Sequence, residues 1–154
     1  MGAMITPELE YLATLTIKVG TPAEIGSTPA GRRRIIPIEG GTVDGPALKG
    51  KVLPLGADYQ LLRSETLTEL EAKYAIETDG GERIYVENFG LRTGSREDIE
   101  RLVRGEKVDP ARIYFRCLPK FTASGEWEWL NSKILVGTGE RHPDSVVVNV
   151  FVLN

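Results

Sequence analysis

The chain has 154 residues, enough for one well-packed core and too few for two ordinary domains, so one domain over residues 1–154 is expected. Hydrophobic residues at 41% and charged residues at 27% exclude a disordered or collagen-like chain. A net charge of -3, with Lys and Arg dispersed, gives no basic footprint for nucleic acid or an anionic membrane, and neither partner is expected.

Residues 1–4 lack a basic stretch followed by an apolar run, so they resemble neither a signal peptide nor an anchor and read as a tag scar before a start at Met4. Residues 12–19 alternate, with Leu15, Ile17 and Val19 on one face and Thr14, Thr16 and Lys18 on the other, as a half-buried strand requires. The Gly/Pro/Ser/Thr stretch 20–31 ends that strand. Residues 32–39 are strand-like again, but Pro37 cannot donate to a ladder, which predicts an edge strand or a bulge. Within this run Arg32-Arg33-Arg34 reads as a solvated strand start or an interior charge rather than a phosphate patch, since a nucleic-acid surface needs many such contacts. Gly40-Gly41 and Gly45-Pro46 are read as bracketing a turn. Two short strands follow, 48–53 and 59–63, with a bend or bulge at Pro54-Leu55-Gly56.

Residues 68–78 alternate cleanly, with Leu70, Ala72, Tyr74 and Ile76 on one side and Glu69, Glu71, Lys73 and Glu77 on the other; residues 82–88 are the return strand. A two-residue loop would set Ile76 against Arg83. A three-residue loop, 79–81, instead pairs Ile76 with Ile84, Tyr74 with Val86 and Ala72 with Asn88, and sets Glu77 against Arg83 and Lys73 against Glu87. Opposite charges across a pair contribute roughly 0.2–1 kcal/mol each, and a one-residue slip would reverse both faces. The three-residue loop is therefore expected, with Gly at the left-handed bulge position.

Ser95 as N-cap, Asp98 three residues on, and the stripe Ile99, Leu102 and Val103 predict one short helix, stopped by Gly105 and placed as a lid or plug between strands. Asp109-Pro110 is expected to restart extended chain. Strands are then expected at 112–118, 127–136 and 145–153, joined through 122–125 and 137–144. The Gly137-Thr138-Gly139 run precedes no helix and reads as a turn or bulge, not a phosphate loop. With eight to ten strands and one helix, the expected fold is all-β: a closed antiparallel, lipocalin-like barrel with one short inserted helix.

Several runs carry a family resemblance: Arg34-Ile35-Ile36-Pro37-Ile38-Glu39-Gly40-Gly41, Gly45-Pro46-Ala47-Leu48-Lys49-Gly50 and Gly56-Ala57-Asp58-Tyr59-Gln60. Residues 74–79, Val86-Glu87-Asn88-Phe89-Gly90-Leu91-Arg92, Tyr114-Phe115-Arg116, Trp129-Leu130-Asn131 and Gly137-Thr138-Gly139-Glu140-Arg141 continue it in order. Together they resemble the family called domain of unknown function 3237, or UPF0311, over nearly the whole chain. The chain departs from that pattern at Tyr59, where Trp is usual, and at Leu55, where Gly is usual. The resemblance implies a closed antiparallel barrel with a central cavity. It also implies, from a few members in natural-product pathways, cofactor-free cyclase or isomerase chemistry.

The candidate site residues follow from strand parity. Asn88 ends an apolar inward face beside Tyr74, where an amide must find a protein partner or a ligand. Asp58 shares a face with Gln60 and Leu62, and Tyr59 shares the other with Leu61 and Arg63. If the first face is interior, Asp58 is a desolvated carboxylate suited to acid/base work, and otherwise a turn-capping Asp; if the second is interior, Tyr59 and Arg63 line the cavity. Tyr114 and Arg116 likewise oppose Ile113, Phe115 and Cys117, and either set can face inward. Trp127, Trp129 and Asn131 form either a stacking wall for a flat ligand or a plain amphipathic strand. Arg141 lies in a connection at the barrel mouth, where it could orient a ligand. His142, before Pro143 in a polar turn, reads as a solvated group.

A lone Cys117 and a lone His142 exclude an internal disulfide and a Cys/His zinc site, so no metal is expected, and a reducing, cytoplasmic setting fits. No dinucleotide fingerprint is present, and no nucleotide cofactor is expected. The expected function is small-molecule binding with acid/base catalysis, a cofactor-independent cyclase or isomerase of secondary metabolism acting on a polyketide-like or aromatic metabolite. Asp58 would move the proton, and Arg63, Tyr114 or Arg141 would steady an oxyanion; Tyr59, Tyr74, Asn88, Arg116, Trp129 and Asn131 would bind the ligand. The alternatives are a non-catalytic carrier barrel and an interaction protein, including a homo-oligomer, whose interior is filled by its own side chains.

Overall fold

The alternation of residues 68–78 has its expected consequence. In the computed structural model, which describes residues 2–154, β6 (Leu67–Thr78) and β7 (Arg83–Thr93) pair Ile76 with Ile84, Tyr74 with Val86 and Ala72 with Asn88. Glu77 and Arg83 form an ion pair at 3.1 Å, and Lys73 lies opposite Glu87. The Thr78 N–H donates to the Glu82 carbonyl at 2.8 Å, and Gly81 takes φ +91°, which closes the three-residue loop.

The other strands wrap around this hairpin: β1 (Leu9–Val19), β2 (Ala23–Thr28), β3 (Gly31–Asp44), β4 (Gly50–Val52), β5 (Ala57–Leu62), β8 (Tyr114–Thr122), β9 (Leu135–Arg141) and β10 (Ser145–Leu153). The order β1-β10-β9-β8-β7-β6 continues through β4 and β5 to β3, which pairs back to β1. Because β1 and β2 share one side of the long β3, and β4 and β5 share the other, the ten strands occupy the eight positions of a closed antiparallel barrel.

Several local expectations are corrected. Residues 20–31 are not only a connection, since β2 lies within them and forms a hairpin with β3. β3 is no edge strand. It carries a bulge: Lys18 pairs with Gly40 and Val19 with Ile38, leaving Glu39 as the extra residue. Gly40-Gly41 is not a turn either, and lies inside β3; a Cβ on Gly41, which has φ +146°, would stand 2.0 Å from the Thr16 carbonyl oxygen. Glycine is what lets the two backbones approach there. Asp109-Pro110 opens a 3-10 turn, Pro110–Arg112, because the Asp109 carboxylate accepts from the Ala111 N–H at 3.0 Å.

The expected strand at 127–136 is also overturned, for a 3-10 helix, Gly125–Ser132, replaces most of it. Trp127 and Leu130, three residues apart, fall on one side of such a helix, and both enter the main core. Gly137 and Gly139 lie within β9, not in a turn, and make room for inward neighbours: a Cβ on Gly139 would meet the Phe115 ring at 2.7 Å.

The short helix forms as expected. In α1 (Arg96–Val103), Ser95 Oγ accepts from the Asp98 N–H at 3.1 Å, and Ile99 and Leu102 pack with Val108 in a small separate core. α1 follows directly on β7 and lies beside the barrel end at which β7 finishes, where Arg34 Nη1 donates to the Val103 carbonyl. The main core fills the opposite end and includes Leu15, Val43, Val52, Ile76, Ile84, Phe121 and Val150. Among the described residues no helix is long and apolar enough to cross a membrane.

Candidate functional site

Toward α1 the inward positions change from aliphatic to polar. On β3, Arg34 occupies the same face as Ile36 and Ile38; on β5, Asp58 and Gln60 point inward; on β7, the face of Val86 and Asn88 continues to Gly90 and Arg92. Cross-strand register gathers these groups: Arg34 lies opposite Gln60, Ala72 is flanked by Asp58 and Asn88, and Arg92 sits between Thr68 and Phe115. Arg141, at the end of β9, adds a third buried guanidinium, and Arg34, Arg92 and Arg141 are each less than a tenth exposed.

A hollow lies beneath this layer, with Asp58, Gln60, Tyr74, Asn88, Cys117 and Arg141 among its aliphatic and aromatic walls. Its open volume is about 40 Å³, room for water or a slender part of a ligand. Asp58 Oδ2 accepts from Gln60 Nε2 at 3.0 Å, while Asp58 Oδ1, Gln60 Oε1 and Asn88 Oδ1 are buried without a hydrogen-bond partner. Arg92 Nε and Nη1 are likewise unpartnered, and the guanidinium lies 5.8 Å from the centre of the Phe115 ring. Such a concentration of unmatched polar groups is costly unless water or a ligand meets it.

Burial sets the electrostatics. Desolvation raises the Asp58 carboxyl above the usual carboxylate range, opposed by the Gln60 hydrogen bond and by the charges of Arg92 and Arg141. Desolvation also lowers Arg92 to about 10, despite the attraction of Asp58, with Arg141 and Arg34 pushing the same way. Arg141 is lowered by burial and by Arg34. The Cys117 thiol is pushed up to about 11 by burial, and Tyr74 is raised for the same reason. The arrangement is a basic carboxylate held near cations in a mostly apolar hollow. It can move a proton and stabilise a developing oxyanion.

Of the residues picked out by sequence, Asp58, Arg141, Tyr74 and Asn88 meet in this hollow. The rest do not. Tyr59 is 47% exposed on the outer face, because the Asp58 face of β5 is the inner one, and Arg63 lies outside, paired with Glu69 at 2.7 Å. Tyr114 and Arg116 are outside too, with the guanidinium 4.8 Å from the ring centre, since Phe115 and Cys117 take the inward positions of β8. Trp129 is exposed. Asn131 clamps the backbone of Ala123, accepting from its N–H and donating to its carbonyl, each at 2.7 Å. His142 is half-buried beside Glu140, Nε2 to Oε2 at 3.3 Å.

Sequence reasoning missed Arg92, Gln60 and Cys117 as site residues and did not separate Arg34, which is interior, from the exposed Arg32 and Arg33. The signal for Arg92 was present: carrying the alternation of the return strand four residues past Asn88 reaches it. Among the described residues no three His, Cys, Asp or Glu side chains are grouped to hold a metal.

Against this geometry, the comparison with known proteins is decisive for kinship. The family described as "Protein of unknown function (DUF3237)" matches residues 7–153. The chain belongs to the DUF3237 family. A UPF0311 protein of Rhodopseudomonas palustris is 49% identical over 149 residues, covering 95% of this chain and 97% of that protein. The crystal structure of a beta-barrel like protein from Acinetobacter baumannii AYE superposes with a TM-score of 0.87 at 36% identity, covering 100% of both chains. The crystal structure of an enzyme from Penicillium herquei shares the fold at a TM-score of 0.73 and 19% identity, again over 100% of both chains.

Proposed function

We propose that this DUF3237 barrel takes up a small organic molecule at its polar end and acts on it by acid/base catalysis, as a cofactor-independent isomerase or cyclase for a polyketide-like or aromatic metabolite. One observation carries the reading: Asp58, its Oδ1 unpartnered, and Arg141 border the same hollow. In this reading the Asp58 carboxylate removes a proton from a carbon beside a carbonyl, and the enolate oxygen is stabilised by Arg141, with Arg92 supporting the field. Returning the proton to another carbon completes an isomerisation, whereas attack of the enolate carbon on a second carbonyl closes a ring. A raised carboxylate is the stronger base, so desolvation of Asp58 favours the first step. Arg141 and Arg92 take the oxyanion role in place of Arg63 and Tyr114, which lie on the outer surface.

The same fold in the Penicillium herquei neighbour belongs to a protein described as an enzyme, so the fold is compatible with catalysis. Aromatic β-diketones incubated with the barrel in deuterium oxide should gain deuterium at the acidic carbon faster than in buffer alone, read by mass spectrometry, and Asp58→Asn should abolish the rate increase while the fold persists. Undiminished exchange in that variant rules the assignment out.

The runner-up is a carrier barrel that binds without turnover. It is favoured by the lack of a second acid within hydrogen-bond distance of Asp58 among the described residues, and by the mainly apolar walls. Binding of a diketone with exchange no faster than in buffer alone selects this reading.

A further inference from the structure

The charge arrangement at the polar end says something about the ligand that the fold does not. Three guanidiniums are buried there, and their partners can be followed one by one. Arg34 is met from the rim, where Nη1 donates to the Val103 carbonyl at 3.2 Å and Nε, without a hydrogen bond, stands 3.5 Å from a Glu24 carboxylate that Arg32 also holds. Arg141 Nη1 donates to the Ser145 carbonyl at 3.4 Å. Arg92 has no acceptor for Nε or Nη1, and only the face of Phe115 beside it.

The anions are fewer. Asp58 is the sole acid lining the hollow, it forms no ion pair within 4.0 Å among the described residues, and Gln60 holds one of its oxygens. Glu24 is shared between Arg32 and Arg34, and Asp58 is one carboxylate facing Arg34, Arg92 and Arg141, so cations outnumber anions here; of the three guanidiniums only Arg92 has neither a carboxylate within 4.0 Å nor a hydrogen-bond acceptor among the described residues. A buried cation without a counter-ion is among the least favourable arrangements a protein interior can hold. Arg92 is also close to the hollow: Phe115, whose ring it overlies, is part of the wall, and so are Asn88 and Gly90, two and four residues before it on β7.

We infer that the molecule bound at this end is a small organic monoanion whose carboxylate pairs with Arg92. A carboxylate supplies the acceptor that Arg92 lacks, whereas a neutral ligand leaves it unmatched and a second negative charge meets the repulsion of Asp58. A carboxylate matches the planar donor set of a guanidinium, and the Phe115 and Tyr74 side chains in the wall suit an unsaturated or aromatic body. The inference rests on the reading of this hollow as a ligand site, not on turnover.

The test uses acids beside their neutral isosteres: acetate with acetamide and benzoate with benzamide, measured by thermal shift and calorimetry at constant ionic strength. At least one acid should raise the melting temperature while its amide does not. Asp58→Asn, which removes the repelling carboxylate, should bind that acid more tightly, Arg92→Gln should weaken it at least about tenfold, and Arg116→Gln on the outer face should leave it unchanged. If Arg92→Gln does not fold, Asp58→Asn carries the decision. The inference fails if the amides bind as well as the acids, if neither acid binds, or if Asp58→Asn leaves acid affinity as it was. A barrel that binds benzoate but keeps deuterium exchange in Asp58→Asn loses the catalytic reading and retains the anion. One with Asp58-dependent exchange that ignores both acids does the reverse.

Discussion

Arg34, inside β3, donates to the carbonyl of Val103 at 3.2 Å, so a barrel strand holds the last turn of α1. The contact satisfies one of the carbonyls left free at a helix C-terminus and places a cation where the helix dipole favours it.

Arg34→Met should therefore loosen α1 more than the strands. A charged hydrogen bond of this kind contributes about 2 kcal/mol, and the loss should appear as a lower denaturation midpoint. Hydrogen exchange should quicken at residues 99–104 while the amides of β6 and β7 keep their protection. Uniform quickening across the barrel would show that the contact does not act on the helix.

Asp58 makes stability depend on pH in the direction opposite to a surface carboxylate. Its folded pKa is raised, so the folded state holds its proton more firmly than the unfolded chain does. The contribution is full below the unfolded pKa and is lost as pH rises through the folded value. Glu24 and Glu77 shift downward and act in the other sense, so the informative quantity is the difference between wild type and Asp58→Asn. Denaturation across pH 3 to 8 should show the variant gaining stability relative to wild type as pH rises. A difference that stays flat would mean that Asp58 is solvated in the folded protein.

Asn131 has a purely structural part in this fold. Its two hydrogen bonds to Ala123 hold the 3-10 helix, Gly125–Ser132, against the end of β8. Asn131→Ala should lower stability by about 1–2 kcal/mol in urea titrations and leave benzoate affinity unaltered. Weakened benzoate binding at unchanged stability would return Asn131 to the ligand site.

The β6–β7 hairpin could be read from the chain because its two faces differ so strongly. Aliphatic residues alternate with charges on both strands, so only one register satisfies both faces, and the structure adopts it. The helix was equally plain, for Ser95, the Ile99 and Leu102 stripe and Gly105 act locally, within one or two turns. Tyr74 and Asn88 entered the site through the same hairpin.

Other elements had no such local arbiter. On β5 and β8 both faces mix polar and aromatic residues, so the orientations of Asp58 and Tyr114 waited on which face β3, β6, β7 and β9 turned inward. Residues 127–132 carry a strand's aromatic spacing, yet Trp127 and Leu130 bury together only when the chain coils. Gly40-Gly41 reads as a turn until Thr16 of β1 is found against it. Local side-chain contrast was enough to specify the hairpin, the helix and the all-β class. The convergence of Arg34, Asp58, Arg92 and Arg141 came from barrel closure, because these residues lie on four strands far apart in sequence, and only the closed sheet turns their side chains toward one interior.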